Sequence, residues 1–501
     1  MSGIRVTYSG LISFGVGILS VVTGIIFTLI ITRRLSLEEF GTWNLVGGLI
    51  TYVMIFEPII SYWTIRQISR GLKIAKTAII TSGFFSCGGI IAYIIIAYFV
   101  GQQSDAVKDV LLLAAILVPM MFVIQTLNSI NLGWKPQSVS YGLLIFEATK
   151  IPAALIFVYF LDWGLTGAIL STFVAYIGNI IILVIYVRDK LKGRFDRKIV
   201  KRWLSLSWLP IYPGVSSLVY SLDVMIFSII TGSVIGIAFY SAALTIAALV
   251  AHSGLISQAI YPKLLGGGKR EYLQENLIKF LYFGIPLTAL SITFAKPALF
   301  TLNPVYDVAV IVVIIMTIRA FLYVLTGIIV QTLRGIETVD MNEDSTFKDF
   351  IKSKLFSIPT IILMQSILYI VLLTIGILLL IPVVNTSLDL IVYWAIISLV
   401  TQIPFLMYFY SMAKKNFPII VDRSSLFRYL LVSIGVFGLT YVLIEKFLVY
   451  NNSIYEFLPN VLFFVIIAVT GYLVITYLID LKTRTLFKAI INEIRNKDSH
   501  E

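Results

Sequence analysis

From Tyr8 to Thr32 the chain carries no charged residue, and the same holds from Ile79 to Gly101 and from Leu390 to Ala413. As a helix, each run is long enough to cross a hydrocarbon layer of about 30 Å. Isoleucine and valine are abundant in these runs and would favour strands in a soluble chain. In lipid no water satisfies an exposed backbone, so an uninterrupted apolar run of this length predicts a helix. The polar stripe of a soluble amphipathic helix is missing as well. Only 13% of the 501 residues are charged while 59% are hydrophobic, too little charge to clothe a soluble protein of this size.

Runs of this kind predict about fourteen transmembrane helices, at roughly 10–32, 42–65, 77–100, 109–132, 139–160, 163–187, 204–230, 234–260, 277–296, 305–333, 355–381, 388–411, 427–449 and 457–480. The fold expected is an all-α polytopic membrane protein. The first run exceeds the 7–15 residues of a signal-peptide core, and Arg33 and Arg34 follow it in place of a cleavage site. It is expected to remain as a span.

Charge sets an orientation. With the N-terminus inside, 31 of the 38 Lys and Arg residues fall in inside segments and 5 in outside segments, while Lys150 and Arg319 lie within spans. This is a strong positive-inside bias, and it predicts a multi-pass protein of the cell membrane with both termini cytoplasmic. The net charge of +12 then needs no nucleic-acid partner. The densest basic stretch, 188–203, reads as a connecting loop with a topological role or as a contact to anionic lipid headgroups. Two Asn-x-Ser sequons, at Asn385 and Asn451, fall in outside loops.

The single cysteine, Cys87, lies inside a span, and there are only two histidines. No HExxH, CxxC or phosphate-binding glycine loop occurs. ATP hydrolysis and most soluble enzyme chemistry are disfavoured, and no cofactor is expected. The basic stretch divides the chain into residues 1–200 with six spans, 201–412 with six more, and 413–501 with two. A faint repeat accompanies the division. IIT at 30–32 precedes Phe40-Gly41-Thr42-Trp43, and IIT at 229–231 precedes Phe239-Tyr240-Ser241, each between the first and second span of its six. Such repeats are common in transporters, with the substrate site at their interface.

The segment TRRLSLEEFGTWNLVGGL at 32–49 resembles the signature of the polysaccharide (lipid-linked oligosaccharide) flippases. These belong to the multidrug/oligosaccharidyl-lipid/polysaccharide exporter superfamily. Arg34, Leu35, Ser36, Glu38, Glu39, Phe40 and Gly41 fill their element between the first two spans. Length, span count and the six-six-two layout are also similar, so the resemblance covers nearly the whole chain. It implies two six-helix lobes around a central cavity open alternately to each side, plus two C-terminal helices. It implies a transporter and not an enzyme, moving a glycan on a polyprenyl phosphate or pyrophosphate from the inner to the outer leaflet. The partners implied are membrane lipids, the lipid-linked glycan and glycan-assembly enzymes. The chain is expected to act as a monomer, and any coupling ion, H+ or Na+, is left open.

A charge in the hydrocarbon region costs at least about 2.5–3.5 kcal/mol, so each one needs a reason. Glu57, Glu147, Lys150, Asp223 and Arg319 stand out. Glu147 and Lys150 share a helical face and either neutralise each other or face the cavity. Arg319, with Tyr323, Thr326 and Arg334 near its face, is the leading candidate to contact a phosphate, against a salt bridge to Asp223 or Glu57. Asp223 shares a face with Ser216, Tyr220 and Phe227 on a helix that Pro210 and Pro213 are expected to bend. Glu57 precedes Pro58 in a similar arrangement. His252 reads as a packing histidine or a proton relay. On the first span Ser13, Gly17, Ser20, Gly24 and Thr28 form a small-residue face for close packing or a cavity wall. Arg33 and Arg34 are either a positive gate at the cavity mouth or partners of Glu38 and Glu39.

The rival within the superfamily is a cation-coupled multidrug exporter. That class usually has a carboxylate in its first span and twelve spans in all, and neither feature is expected here. A membrane-embedded glycosyltransferase or ligase would need large outer loops, whereas the longest loops are predicted inside. A structural scaffold would not need the buried charges.

Overall fold

The computed structural model describes residues 6–69, 71–257, 272–335, 337, 339, 347–384, 387–416 and 423–485, and over most of residues 6–22 it gives the helical path alone. Every regular element of the described residues is helical. Among the described residues, eleven helical segments are long and apolar enough to cross a membrane, and two bent pairs each qualify as one further span. The 29-residue α1 (Val6–Arg34), uncharged from Tyr8 to Thr32, is as long as these spans, in keeping with the about fourteen expected. Asn385 and the residues beyond 485 lie outside the described residues, as does the side chain of Ser13.

The chain turns from α1 into α2 (Leu37–Val53) at a tight corner that the local sequence dictates. Ser36 caps α2: its hydroxyl accepts from the Glu39 N–H at 3.1 Å, and the Glu39 carboxylate accepts from the Ser36 N–H at 2.9 Å. Such a reciprocal pair satisfies two of the donors a helix start leaves open. Pro58 then breaks the second span. It has no N–H to offer the Met54 carbonyl, so the α-helix tightens into a 3-10 turn over Met54–Phe56. The chain resumes as α3 (Pro58–Ser69), bent by 56° from the preceding helix. The seventh span differs from expectation. α10 (Trp208–Thr231) runs through Pro213 as one helix, and Pro210 lies in its first turn, where a missing N–H is tolerated.

The described chain packs as two compact units, Met1–Ser241 with Ser366–Leu390, and Ala242–Gln365 with Ile391–Glu501. They follow packing rather than chain order, so the six-six-two division stays an expectation of the sequence. In the first unit α4 (Ala75–Gln103), α6 (Leu117–Trp134), α7 (Gln137–Ala154) and α8 (Gly164–Val187) accompany α1 to α3, with α5 (Lys108–Leu113) leading into α6. α7 lies along α1 and α8, and α6 packs against α3, α4 and α8. The basic stretch is not wholly a loop. It contains the short helix α9 (Arg197–Ser205), whose Trp203 is buried among Ile60, Ile74, Ile130 and Val187. The eighth span begins with α11 (Ile235–Ala247), and the turn that leads into it meets the first corner. The Asp105 carboxylate accepts from the Val234 N–H at 2.6 Å. A Cβ on Gly41 would lie 2.1 Å from the Val234 carbonyl oxygen, so only glycine fits there.

In the second unit the bent span comprises α12 (Tyr272–Thr293) and α13 (Ala295–Leu302), which differ in direction by 64°. Pro297, unable to donate to the Thr293 carbonyl, accounts for the break. α14 (Val310–Gly335) follows. The short α15 (Phe347–Lys352) precedes α16 (Lys354–Leu380), and α17 (Ser387–Asn416), α18 (Arg423–Phe447) and α19 (Ile454–Ile479) complete the chain. Tyr282 of α12, Tyr429 and Phe437 of α18, and Phe457 and Tyr472 of α19 form one core. Large apolar side chains such as Phe84, Ile434, Leu439 and Phe463 point outward and exposed, as lipid-facing helices require.

Candidate functional site

Within the first unit, the break at Glu57 and Pro58 opens a cavity of about 470 Å³ between α2, α6 and α8. Trp43, Asn44, Ile50, Thr51 and Met54 line it from α2 and the turn, Met121 and Gln125 from α6, and Thr172 and Tyr176 from α8. Its volume lies in the usual small-ligand range of about 300–1,000 Å³. Among the described residues, Glu57 is the only carboxylate in the lining, and no Lys or Arg lines it. The Glu57 side chain is 6% exposed, and its Oε1 has no hydrogen-bond partner among the described residues. The Ser61 side chain, one turn on, hydrogen-bonds the carboxylate, and the oxygen left without a donor costs about 1–3 kcal/mol until it meets one.

The aromatic walls of this cavity are backed by a second layer. Trp43 packs on Phe27 of α1, with ring centroids 6.1 Å apart, and Tyr176 stacks on Phe146 of α7 at 5.2 Å. Behind both phenyl rings sits one ammonium: Lys150 Nζ lies 4.9 Å from the Phe27 ring and 4.8 Å from the Phe146 ring. Lys150 also pairs with Glu147 at 3.0 Å, one helical turn away. Glu147 takes two further hydrogen bonds, from Ser20 Oγ at 2.7 Å and Thr23 Oγ1 at 2.8 Å on α1. The pair is therefore satisfied by hydroxyls and ring faces inside the bundle, as the neutralising alternative expects.

The other residues singled out in the sequence fall elsewhere. Asp223 is buried and accepts from the Tyr369 hydroxyl at 2.8 Å, and Tyr369 stacks on Tyr220 at 4.5 Å. Arg319 is half-buried midway along α14, its guanidinium carbon 6.0 Å from the exposed ring of Tyr323. One turn on, Thr326 accepts from Gln402, which in turn accepts from Gln365, at 2.9 and 2.7 Å. His252 Nδ1 lies 3.3 Å from the Leu249 carbonyl. Arg34 is exposed and lies over the Tyr159 ring at 3.9 Å, while Arg33 beside it is half-buried. Glu39 serves backbone. Besides Ser36, its carboxylate accepts from the Leu165 N–H at 3.1 Å, the start of α8. The signature element is thus a brace between helix ends. Asn451 is likewise engaged, accepting from the Ser453 N–H at 3.0 Å where α19 begins.

The sequence singled out Glu57 but not its cavity partners Asn44, Gln125, Thr172 and Tyr176. Their signal was present as isolated polar residues in apolar runs. Trp43 falls within the signature segment 32–49 and the repeat, neither of which points to a cavity.

No family model matches the chain, and no curated protein matches it either. Solved structures do. The lipid II flippase MurJ in an inward closed conformation is 14% identical, covering 95% of this chain and 100% of its own, with a TM-score of 0.67. A multidrug resistance MATE family transporter of the MOP superfamily, in an inward-facing conformation, is 13% identical over 81% of this chain and 98% of its own, with a TM-score of 0.56. A MATE in the straight conformation reaches 0.51 over 82% of this chain at 13% identity, covering 95% of its own length. The all-helical, multi-span architecture built above is therefore the fold of the lipid II flippase MurJ and of the MATE transporters of the MOP superfamily.

Proposed function

We propose that the chain is a flippase that carries a polyprenyl-phosphate- or pyrophosphate-linked glycan from the inner to the outer leaflet of the cell membrane, with both termini cytoplasmic. The observation that carries this reading is coverage. The likeness to a lipid II flippase runs over 95% of this chain, whereas the MATE likeness leaves about a fifth of it unmatched. The fourteen-span count and the signature element at Arg34 to Gly41 support the same reading. Transport of this kind needs no covalent step and no cofactor. Arg319 is the cation best suited by position in its span to meet a phosphate, while Lys150, also expected to, is engaged by Glu147 and the Phe27 and Phe146 rings. H+ or Na+ is the coupling ion to assay. The protein works as a monomer beside the enzymes that assemble its glycan.

One observation favours the alternative, a cation-coupled exporter of small molecules. A buried carboxylate between aromatic walls is also suited to a lipophilic cation. The two readings separate in vesicles. Reconstituted protein should expose a fluorescent polyprenyl-linked glycan to a membrane-impermeant quencher faster than empty vesicles do. Ion-driven dye efflux without any glycan exposure would replace the flippase by the exporter. Arg319→Ala is expected to slow glycan exposure while leaving the amount of folded protein unchanged.

A further inference from the structure

We propose that the cavity between α2, α6 and α8 is a sugar-ring subsite, in which Glu57 accepts hydroxyl protons and the Trp43 and Tyr176 rings stack against the ring's C–H faces. The proposal rests on the flippase reading and assigns the glycan end of the substrate, not the phosphate end, to this cavity.

Three features point that way. First, the lining lacks Lys and Arg and contains a carboxylate. A phosphate or pyrophosphate would meet repulsion there and no charge-assisted donor. Second, the polar groups are mixed and spread over three helices. Asn44 and Thr51 come from α2, Gln125 from α6 and Thr172 from α8. Carboxamides both give and accept hydrogen bonds, and a polyol has hydroxyls that do both in several directions. Asn44, Thr51 and Thr172 already donate to backbone carbonyls of their own helices, at 2.8, 2.9 and 3.0 Å. Their oxygens can still accept from ligand hydroxyls, whereas a quaternary ammonium has no N–H or O–H to give them. Third, Glu57 Oε1 is buried without a partner and lines the cavity. It is the acceptor a ligand hydroxyl would satisfy.

The backing layer explains why the stacking faces can be rigid. Phe27 and Phe146 hold Trp43 and Tyr176 from behind, and Lys150 lies against both phenyl rings. An aromatic surface fixed before binding loses little freedom when the ligand arrives. The buried ion pair would then act as a positioning group for the cavity without touching the sugar.

The test uses the full-length protein in detergent. Trp43 emission is taken as the difference between the wild-type protein and Trp43→Phe. Glucose, galactose, mannose and N-acetylglucosamine are titrated through millimolar concentrations, with inorganic phosphate and tetramethylammonium as controls. At least one sugar should shift the Trp43 emission, while both controls should leave it unchanged. Glu57→Gln should weaken sugar binding about tenfold or more, the scale of one hydrogen bond to a charged group. Gln125→Ala, which opens no packed core, should weaken it several-fold and serves if the Glu57 variant fails to fold. A response to phosphate or tetramethylammonium without one to sugars would overturn the subsite. So would absence of any sugar response, or full affinity in a folded Glu57→Gln protein with Gln125→Ala equally unaffected. Glycan exposure in vesicles is scored separately. Exposure without a sugar response sinks the subsite alone, and a sugar response without exposure sinks the flippase reading alone.

Discussion

Glu147 and Glu57 are both glutamates inside predicted spans, 4% and 6% exposed, and they are treated in opposite ways. Glu147 has a lysine at 3.0 Å and two hydroxyls at 2.7 and 2.8 Å. Glu57 has an oxygen with no hydrogen-bond partner among the described residues, at the edge of a cavity. Burial alone therefore does not identify a functional carboxylate. The number of partners does: a saturated group has completed its chemistry within the fold, while an unsaturated one retains an acceptor for something that comes and goes.

The largest effect should come from breaking the saturated pair. Lys150→Met leaves the Glu147 charge buried against hydroxyls only, and loss of one partner of such a pair costs about 3–5 kcal/mol. The thermal unfolding midpoint in detergent should fall steeply, and Lys150→Met with Glu147→Leu should recover much of the loss. A single variant that melts like the wild type would show that the pair is not holding α1 to α7, and the contrast with Glu57 would collapse.

A smaller loss is expected at Asp480, a carboxylate as well supplied as Glu147 but lying just past the end of α19. It accepts from the Tyr429 and Thr483 hydroxyls at 2.9 Å each and pairs with Arg428 at 3.2 Å. Burial works against its charge, but the hydrogen bonds from Thr483 and Tyr429 and the Arg428 charge outweigh it, so its pKa is held below the ordinary carboxylate range. The sign follows. Its contribution is complete above the ordinary aspartate value of about 3.9 and is lost as pH falls through the lower folded value. Asp480→Asn should cost about 1.5–3 kcal/mol at neutral pH. The gap between variant and wild-type unfolding midpoints should close in acid, and a gap independent of pH would mean that packing, not charge, is what Asp480 contributes.

How much of this contrast the sequence displays depends on how far apart the partners lie along the chain. Glu147 and Lys150 are three residues apart, so helical periodicity alone puts them on one face. The Glu57–Pro58 break is equally local, because proline acts on the turn before it. The spans and their orientation come from composition and loop charge, which need no tertiary contact. The cavity is different. Trp43, Gln125 and Tyr176 converge only because α2, α6 and α8 meet, and nothing in their spacing encodes that meeting. The signature element shows the same limit. Glu39 and Gly41 stand out in the sequence, but their work as a brace depends on Leu165 and Val234, more than a hundred residues away. Helix α9 was legible as charge and missed as structure, since its one deeply buried side chain, Trp203, sits among cations.

The smallest effect on stability should be at Glu57 itself, and it decides the comparison. Glu57→Gln keeps the shape, removes a charge that lacks a salt-bridge partner among the described residues, and leaves the neighbouring Pro58 turn in place. Removing an uncompensated buried charge does not destabilise as breaking a pair does, so the unfolding midpoint should stay within about 0.5 kcal/mol of wild type or rise. Transport should nevertheless fall, because the cavity loses its one charged acceptor. Stability unchanged with transport reduced is the signature of a group kept for a ligand. A variant that melts early would instead show that Glu57 has partners beyond Ser61 in the working protein, and would place it with Glu147 among the groups that hold helices together.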